Sequence, residues 1–390
     1  MNNSGINRRD FLAVSSVVAT GAAMGQAQQS SPAGNTQTEL FKTVNFTSDG
    51  LGLDPREYAA LLSQLIARRT VGADYYSNGG IVEEVEQKFA RLLGKQRAIF
   101  LPTGTLANHM AVRKLAGTDR RVLVQAESHF YNDEGDCAEV LSGINVIPLA
   151  PGSVTMQLDE IKHWIDRSAG GRVEMKIGVI SIESPVRHKD HAAFDFGEMQ
   201  RISQYARQHG IRLHLDGARM FTLPYHSGKS VQEYAALFDT VYVSLWKHFN
   251  GACGAILAGD AAFVDGLFHT RRMFGGSLPQ AWPGVALVAE TADRFQDDYA
   301  KSWQAADAFI ASLASDNRFK VQKVTDGTSR FLLGVTGASP EAFVARLRQR
   351  GVVIAGSLGT NGMFPMQVNA TILRTTPAKL AATFREALNG

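Results

Sequence analysis

Short apolar runs alternate along the chain with segments whose apolar positions recur at helical spacing. The apolar runs that predict buried strands lie at 97–101, 121–125, 144–149, 177–182, 211–216 and 240–245. Between them, helical spacing predicts helices from Pro55 to about Ala67, from Ile81 to Leu93 and from Phe196 to His209. Strands that alternate with helices favour a parallel sheet with right-handed crossovers. The pattern therefore predicts an α/β fold with a mostly parallel sheet.

The pattern changes after Gly259. Helices are predicted at 262–274, 280–295 and 299–313, and then at 339–349 and 377–388. Short strands are predicted at 319–324, 330–334, 352–354 and 366–368. We interpret residues 45–299 as a large domain and residues 300–390 as a smaller α+β domain.

Composition narrows the functional class. A chain of 390 residues suits two or three domains with an ample core. The net charge is only +3 and no run of basic residues occurs, so we expect no nucleic-acid partner. Cys137 and Cys253 are the two cysteines, and they predict neither a disulfide framework nor a metal site.

The N-terminus has the order of a twin-arginine export signal. Arg8 and Arg9 precede an apolar run rich in Ala, Ser and Gly, and a small-residue pattern follows at Gly25-Gln26-Ala27. We predict a signal peptide at 1–27 and a linker at 28–44, with the precursor carried by the twin-arginine machinery to the periplasm. A soluble helix with two chance arginines is the alternative, and the protein would then be cytoplasmic.

Charged side chains follow two of the predicted strands directly. Asp216 ends the strand at 211–216, Arg219 comes three residues later, and Lys247 follows the strand at 240–245. Ligands in open α/β sheets bind at the carboxyl ends of strands. Pyridoxal phosphate (PLP) needs a lysine amine for its imine and a carboxylate beside its pyridine nitrogen. We therefore interpret Lys247 as the Schiff-base lysine, Asp216 as the partner of the ring nitrogen and Arg219 as a neighbour of the ring hydroxyl, with surface ion pairs as the alternative.

A turn at 102–108 has the form of a phosphate cradle. It joins the strand at 97–101 to a helix, and the exposed N–H groups and dipole at a helix N-terminus favour an anion. An ordinary N-cap by Thr103 is the alternative. His129 lies just beyond the strand at 121–125, where its flat imidazole could cover a cofactor ring, although a lone histidine is more often structural.

Four motifs of the chain together resemble the threonine aldolase and β-eliminating lyase group of fold-type-I PLP enzymes. They are Phe100–Asn108, Glu127–His129, His214–Arg219 and Ser244–Lys247. The resemblance covers about residues 45–390. It implies a PLP-dependent transferase-like large domain and a homodimer or homotetramer. The residues that it implies at the site are Gly104 and Thr105 at the phosphate, His129 on the ring, Asp216, Arg219 and Lys247 at the cofactor, Ser48 at the substrate carboxylate, and Arg272 reaching the cofactor from the neighbouring subunit.

The chain departs from this family at several positions. Val186 stands where a histidine tied to the aldol step is expected, and Met366 or Gln367 stands where an arginine grips the substrate carboxylate. Pro279 replaces a basic residue near the subunit contact, and Trp246 replaces a small residue before the lysine.

Nearby residues offer replacements for the missing groups. Arg187 or Arg374 is a candidate for the substrate carboxylate, although each could equally be exposed to solvent. His188 and His191 are candidates for the missing base.

The resemblance implies a lyase that cleaves L-threonine, L-allo-threonine or another β-hydroxy amino acid to glycine and an aldehyde, with Lys247 and His129 as catalytic residues. Other PLP chemistry on the same scaffold is the first alternative, namely β-elimination, transamination or racemisation. A non-catalytic periplasmic protein that binds PLP or amino acids is the second, and the retained lysine argues against it.

Overall fold

The computed structural model of the protein describes residues 40–389. The predicted signal at 1–27, and the predicted linker as far as residue 39, lie outside the described residues. Across 40–389, no helix is long and apolar enough to cross a membrane. The strands of this range, in chain order, are β1 (Val44–Asn45), β2 (Arg97–Leu101), β3 (Arg121–Gln125), β4 (Asn145–Leu149), β5 (Ile177–Glu183), β6 (Arg212–Asp216), β7 (Thr240–Ser244), β8 (Ala255–Gly259), β9 (Phe319–Lys323), β10 (Arg330–Val335), β11 (Val352–Val353) and β12 (Phe364–Gln367).

The α-helices connect these strands and cover the sheets. They are α1 (Pro55–Arg68), α2 (Gly80–Leu93), α3 (Gly104–Ala116), α4 (His129–Asn132), α5 (Cys137–Ser142), α6 (Leu158–Ala169), α7 (Phe196–Gln208), α8 (Leu223–Ser227), α9 (Val231–Ala235), α10 (Leu245–His248), α11 (Ala261–Asp265), α12 (Leu267–Met273), α13 (Trp282–Val285), α14 (Val288–Thr291), α15 (Phe295–Leu313), α16 (Pro340–Gln349) and α17 (Pro377–Asn389).

The central sheet has seven strands in the order β2-β8-β7-β6-β5-β3-β4. The strands from β7 to β4 run parallel, so the predicted α/β class with a mostly parallel sheet is confirmed. β8 is an additional strand that the sequence pattern did not predict, and it runs antiparallel to both β7 and β2. Only α10 and a short turn separate β7 from β8. The chain therefore returns beside β7 without the long crossover that a parallel neighbour needs.

Local sequence sets the ends of the helices that flank the sheet. Asp54 and Glu57 form a capping box at the start of α1, with Pro55 in its first turn. In α2, Val85 and Phe89 are four residues apart and buried on the face that packs in the main core. Gly94 ends α2 in the left-handed conformation, with φ 63°, which glycine adopts without steric cost.

The C-terminal part of the chain has its own hydrophobic cluster. β12, β10 and β9 form an antiparallel sheet, and β1 pairs in parallel with β11. Phe309, Phe343 and Phe384 from α15, α16 and α17 pack in this cluster together with Phe46, which follows β1. The N-terminal segment that the structure describes thus packs against the C-terminal elements. The division at residues 299 and 300 stays a prediction.

Two predicted helices are wrong in their continuity. The helix predicted at 262–274 is divided at Gly266 into α11 and α12. The helix predicted at 280–295 is two short pieces, α13 and α14, and the next helix begins at Phe295 instead of 299. The Thr291 hydroxyl donates to the carbonyl oxygens of Leu287 and Phe249, so local side-chain bonds compete with a regular helix here.

Candidate active site

The carboxyl ends of three neighbouring parallel strands deliver polar side chains to one cavity. Glu183 ends β5, Asp216 ends β6 and is its partner in the β5–β6 register, and Lys247 lies in α10 directly after β7. The cavity has a volume of about 320 Å³. Its lining is formed by Pro102, Thr103, Gly104, Thr105, His129, Glu183, Asp216, Ala218, Arg219, Tyr242, Trp246, Lys247, Ala252, Cys253 and Gly254.

Most of the residues singled out from the sequence meet at this cavity. Those that line it are Gly104, Thr105, His129, Asp216, Arg219 and Lys247. Ser48, Arg187 and Arg272 are absent from the lining within this chain. The roles of all nine stay predictions, but the structure brings the six cofactor residues together from four separate parts of the sequence.

The phosphate end of the predicted site is the N-terminus of α3. Thr103 has extended backbone, and its hydroxyl accepts a hydrogen bond from the Leu106 N–H, so it caps the helix as its residue type favours. A side chain at position 104 would overlap the phenol oxygen of Tyr242, which is buried beneath the turn. Gly104 therefore permits the close approach of backbone and ring that leaves the first N–H groups of α3 facing the cavity.

Asp216 is fixed by hydrogen bonds from two sides. Its Oδ2 accepts from Asn108 Nδ2 at 2.8 Å, and its Oδ1 accepts from the Ala218 N–H at 3.1 Å. The Asn108 Oδ1 in turn lies 3.0 Å from Nε2 of His214, whose Nδ1 lies 2.9 Å from the Thr240 hydroxyl. Burial lowers the pKa of His214 to about 4, so this histidine is neutral and acts as a support for Asn108.

His129 is held by a second buried carboxylate. Its Nδ1 lies 3.1 Å from Oε1 of Glu134, and the same oxygen accepts from Asn108 at 2.8 Å. Burial lowers the pKa of His129, but the Glu134 hydrogen bond and the negative charge of Asp216 outweigh it and raise the pKa. His129, Glu134 and Asp216 also offer ligand atoms within 4.8 Å of one another. Asn108 and the backbone already satisfy these oxygens, so we interpret the group as a hydrogen-bond network around the cavity.

Arg219 is paired with a carboxylate from the N-terminal segment. Its Nε donates to Asp49 Oδ1 and its Nη2 to Asp49 Oδ2, each at 2.8 Å, which is the bidentate arrangement of a strong charge-assisted pair. Both side chains are largely buried. Burial opposes the charged form of Asp49, but Arg219 prevails and lowers the Asp49 pKa far below its usual value.

Lys247 and Glu183 titrate nearer neutrality than ordinary side chains of their types. Burial is the main cause that lowers the pKa of Lys247 to about 8; the positive charge of Arg219 also lowers it, and the nearby carboxylates oppose the shift. Burial and the negative charge of Asp216 raise the pKa of Glu183. A lysine shifted in this way carries a neutral, nucleophilic amine in a useful fraction at physiological pH.

This set of side chains fits PLP. The cavity joins an anion cradle at a helix N-terminus, a fixed carboxylate, a buried arginine, an imidazole and an amine with a lowered pKa. Gly104 leaves room for the cofactor's phosphate to meet the backbone, and Asp216 has both oxygens oriented by donors.

The remaining predicted residues do not line the cavity of this chain. The Ser48 hydroxyl accepts from Asn45 at 3.0 Å. Arg187 is on the surface and pairs with Asp133 at 2.9 Å. The guanidinium of Arg272 lies 5.1 Å from the centre of the Tyr76 ring.

The two histidines near the missing base differ in their environment. His188 shares Asp133 with Arg187 at the surface. His191 is fully buried, and its Nδ1 lies 2.8 Å from the Ser329 hydroxyl. Burial and neighbouring arginines hold the pKa of His191 well below its usual value. Neither histidine lines the cavity, and a role for either as the missing base stays a prediction.

Glu183, Glu134 and Asp49 are site residues that the sequence interpretation did not single out. Glu183 had a usable signal, because it ends a buried strand beside the one that delivers Asp216. Asp49 follows the predicted Ser48, but its partner is 170 residues away. No local pattern marks Glu134, which lies in a turn between α4 and α5.

Comparisons with known proteins agree with this geometry. A putative L-allo-threonine aldolase from Listeria monocytogenes superposes with a TM-score of 0.73 and 29% identity, covering 89% of this chain and 96% of that one. The low-specificity L-threonine aldolase of Candida albicans is 26% identical over 306 residues, which cover 76% of this chain and 78% of the relative. An alanine racemase of Cochliobolus carbonum is 28% identical over 235 residues, which cover 60% of this chain and 59% of the relative. The sequence profile of the β-eliminating lyases matches residues 57–329, so the chain belongs to the β-eliminating lyase family.

Proposed function

We propose that the protein is a PLP-dependent carbon–carbon lyase that cleaves a β-hydroxy amino acid to glycine and an aldehyde. The observation that carries the proposal is the meeting of Lys247, Asp216, Arg219 and His129 in one cavity of a β-eliminating lyase chain. Relatives named as threonine aldolases support L-threonine and L-allo-threonine as the first substrates to test.

Each lining residue has a task in this reaction. When bound, PLP supplies an electron-withdrawing ring that weakens the bonds at the substrate's Cα. Asp216 would hold the proton on the pyridine nitrogen, and Arg219 would lie near the ring hydroxyl. Lys247 would hold the cofactor through its amine and exchange with the substrate amine. The N-terminus of α3 would bind the phosphate, and His129 would cover the ring.

We propose Glu183 as the base that takes the β-hydroxyl proton, since Val186, which is apolar and buried, stands at the family's histidine position. Glu183 lies in the lining, and its raised pKa suits a group that accepts and returns a proton near neutrality. The Glu183 carboxylate is oriented by the backbone N–H groups of His129 and Arg187, at 2.6 and 2.8 Å.

Racemisation is the second candidate. It needs the same cofactor residues but no base for a β-hydroxyl proton, which suits the valine at 186. The alanine racemase among the relatives favours it over elimination or transamination.

Products decide between the two, and one variant tests the cofactor assignment. Purified protein, loaded with PLP, is incubated with L-threonine, L-allo-threonine, L-alanine and L-serine, and products are identified by mass and chiral chromatography. Glycine with an aldehyde supports the lyase, and D-alanine alone supports the racemase.

Lys247→Ala should lose the visible absorbance of the lysine-bound cofactor and all turnover, because no ε-amine remains. A Lys247→Ala protein with an unchanged band would remove the assignment, and Lys301→Ala is an exposed control.

We further propose that the precursor is exported to the periplasm by the twin-arginine machinery. The support is the order of Arg8, Arg9, apolar run and small-residue site in the sequence. Arg8→Lys with Arg9→Lys should leave the protein in the cytoplasm, measured by cell fractionation and immunoblot. Lys42→Arg, outside the signal, should not change the distribution. Equal periplasmic amounts of the double variant and the native sequence would reject the signal.

A further inference from the structure

A pair of strands outside the cavity is connected to its wall by the N-terminal segment. Arg330 of β10 and Gln367 of β12 are direct partners across the antiparallel pair. The Gln367 N–H donates to the Phe46 carbonyl at 2.8 Å, and Asn369 Nδ2 donates to the Ser48 carbonyl at 2.7 Å. Asp49 follows at once and binds Arg219, which lines the cavity.

Arg330 is a guanidinium with spare hydrogen-bonding capacity in a largely buried place. Only 26% of its side chain is exposed. Its Nε donates to Gln367 Oε1 at 3.0 Å, and its Nη1 lies 3.4 Å from Oδ1 of Asp190, which is 43% exposed. The hydrogen bonds of the described residues leave Nη2 without an acceptor. The weak, exposed partner does not neutralise Arg330 in the way that Asp49 neutralises Arg219.

Gln367 also presents an unused donor. Its side chain is 3% exposed, and its Nε2 has no hydrogen-bond partner among the described residues. The Oε1 of the same amide is occupied by Arg330, which fixes the direction in which Nε2 points. A buried amide N–H without an acceptor costs free energy, so such a donor indicates a ligand or a water.

The charges around this pair favour an anion. Burial lowers the pKa of Arg330, the carboxylate of Asp190 raises it, and the positive charge of Arg219 lowers it. Asp49 uses both of its carboxylate oxygens to pair with Arg219. Asp190, the partner that remains for Arg330, is 43% exposed and contacts only Nη1, so Nη2 of the guanidinium can still donate to an anion.

We propose that Arg330 and the Nε2 amide of Gln367 bind the α-carboxylate of the amino-acid substrate. The inference rests on the proposed function, because it presupposes an amino acid whose amine is held at Lys247. A planar carboxylate accepts two parallel hydrogen bonds from a guanidinium, and an amide N–H can fill a further lone pair. Ser48, whose carbonyl is fixed by Asn369, lies beside this pair along the N-terminal segment.

Paired ligands test the carboxylate directly, without turnover. Glycine has the carboxylate, and glycinamide has the same amine but no charge. Each is titrated into PLP-loaded protein, and affinity is read from the change in visible absorbance on amine binding. Arg330→Met should weaken the affinity for glycine by about thirtyfold or more, as expected when one partner of a buried charge pair is removed. The affinity for glycinamide should change less than about threefold, because glycinamide has no carboxylate to pair with the guanidinium.

Matched variants separate a binding role from a structural one. Arg56→Met removes an arginine whose side chain is 72% exposed, and this variant should bind glycine as the native protein does. Gln367→Glu places a second carboxylate beside Arg330 and should weaken the binding of glycine but not that of glycinamide. This variant tests the carboxylate site if Arg330→Met does not fold. Arg330→Lys should recover part of the glycine affinity, because it restores the charge without the fork.

The outcomes are distinguishable from those of the proposed function. Native protein that binds no PLP, or shows no response to either ligand, overturns the proposed function and this inference with it. A responsive native protein, with folded Arg330→Met that binds glycine unchanged, overturns the carboxylate site alone. Equal losses for glycine and glycinamide in Gln367→Glu and Arg330→Met also overturn it, since they indicate a structural role.

Discussion

Asp49 and Arg219 show at the scale of single residues how the N-terminal segment is tied to the cavity. The two side chains are 12% and 7% exposed, so their charges are poorly solvated unless paired. Arg219 lines the cavity, whereas Asp49 lies behind it and orients the guanidinium through both of its oxygens. The pair is therefore both a structural connection and a way of setting the direction of Arg219.

Asp49→Asn should destabilise the protein by about 3 kcal/mol, because it leaves the Arg219 charge buried without a partner. The folded-state pKa of Asp49 lies below its unfolded value, so its contribution is present above about pH 4 and is lost as the pH falls further. The difference between native and variant protein in urea unfolding should be full at neutral pH and should narrow toward pH 3.

Asp265→Asn is the matched control, since Asp265 pairs with Arg97 at the surface, where both side chains are more than half exposed. It should cost less than about 1 kcal/mol. An Asp49→Asn protein as stable as this control, or a difference that does not change with pH, would contradict the account of the buried pair.

The sequence identifies the residues that strand ends deliver and misses those that only the fold brings near. Asp216 and Lys247 follow apolar runs directly, so the rule for strand ends was enough to pair them. Asp49 reaches Arg219 across 170 residues, and Arg330 meets Gln367 through a cross-strand register. No periodicity encodes either contact, because both depend on how separate elements pack.

At the scale of elements, the N-terminus of α3 depends on a close contact with β7. Gly104 begins the helix above Tyr242, whose ring is buried in the sheet. The space for a phosphate is thus set by a strand and a helix together.

Gly104→Ala should lower the free energy of unfolding by about 1–3 kcal/mol and weaken PLP binding, because the new methyl group overlaps the Tyr242 ring and moves the start of α3. Thermal unfolding and PLP titration measure the two effects. Gly356→Ala is the control, since a methyl group there meets open space. In Gly104→Ala with Tyr242→Leu, the combined cost should be smaller than the sum of the single costs. Additive costs would show that the ring is not the obstacle.

Strand and helix prediction was most accurate where the pattern was long or strongly apolar. The limits of β2 and β3 agree with the predicted runs residue for residue. The helix predicted at 280–295 was wrong in its continuity, because the Thr291 hydroxyl donates to the carbonyl oxygens of Leu287 and Phe249. Phe249 is distant in sequence, so the apolar spacing alone favoured one continuous helix.

At the scale of the whole molecule, the cavity of one chain lacks Arg272, which the family resemblance places at the cofactor from a neighbouring subunit. Arg272 is exposed on α12, outside the cavity lining, and its guanidinium lies over Tyr76. Tyr75 and Met273, which flank this pair, are 76% and 64% exposed. Large apolar side chains that cluster at a surface are common at subunit interfaces. These observations support the proposal that a neighbouring subunit covers this surface and receives Arg272 at its own cavity.

Two inactive variants should therefore restore activity to each other. In a mixed dimer of Lys247→Ala and Arg272→Met subunits, one site has both the native lysine and the partner's arginine, and the other has neither. Random pairing gives half mixed dimers with one intact site each, so co-expression should recover about a quarter of the native activity in a closed two-fold dimer.

Co-expressing Lys247→Ala with the double variant Lys247→Ala, Arg272→Met is the control, and it should recover none. If Arg272→Met alone retains native activity, or if the mixture stays inactive while light scattering shows mixed dimers, Arg272 does not act across a subunit boundary. Recovery in the mixture, on the other hand, requires that each cavity be completed by a second copy of the chain, because neither subunit carries both side chains.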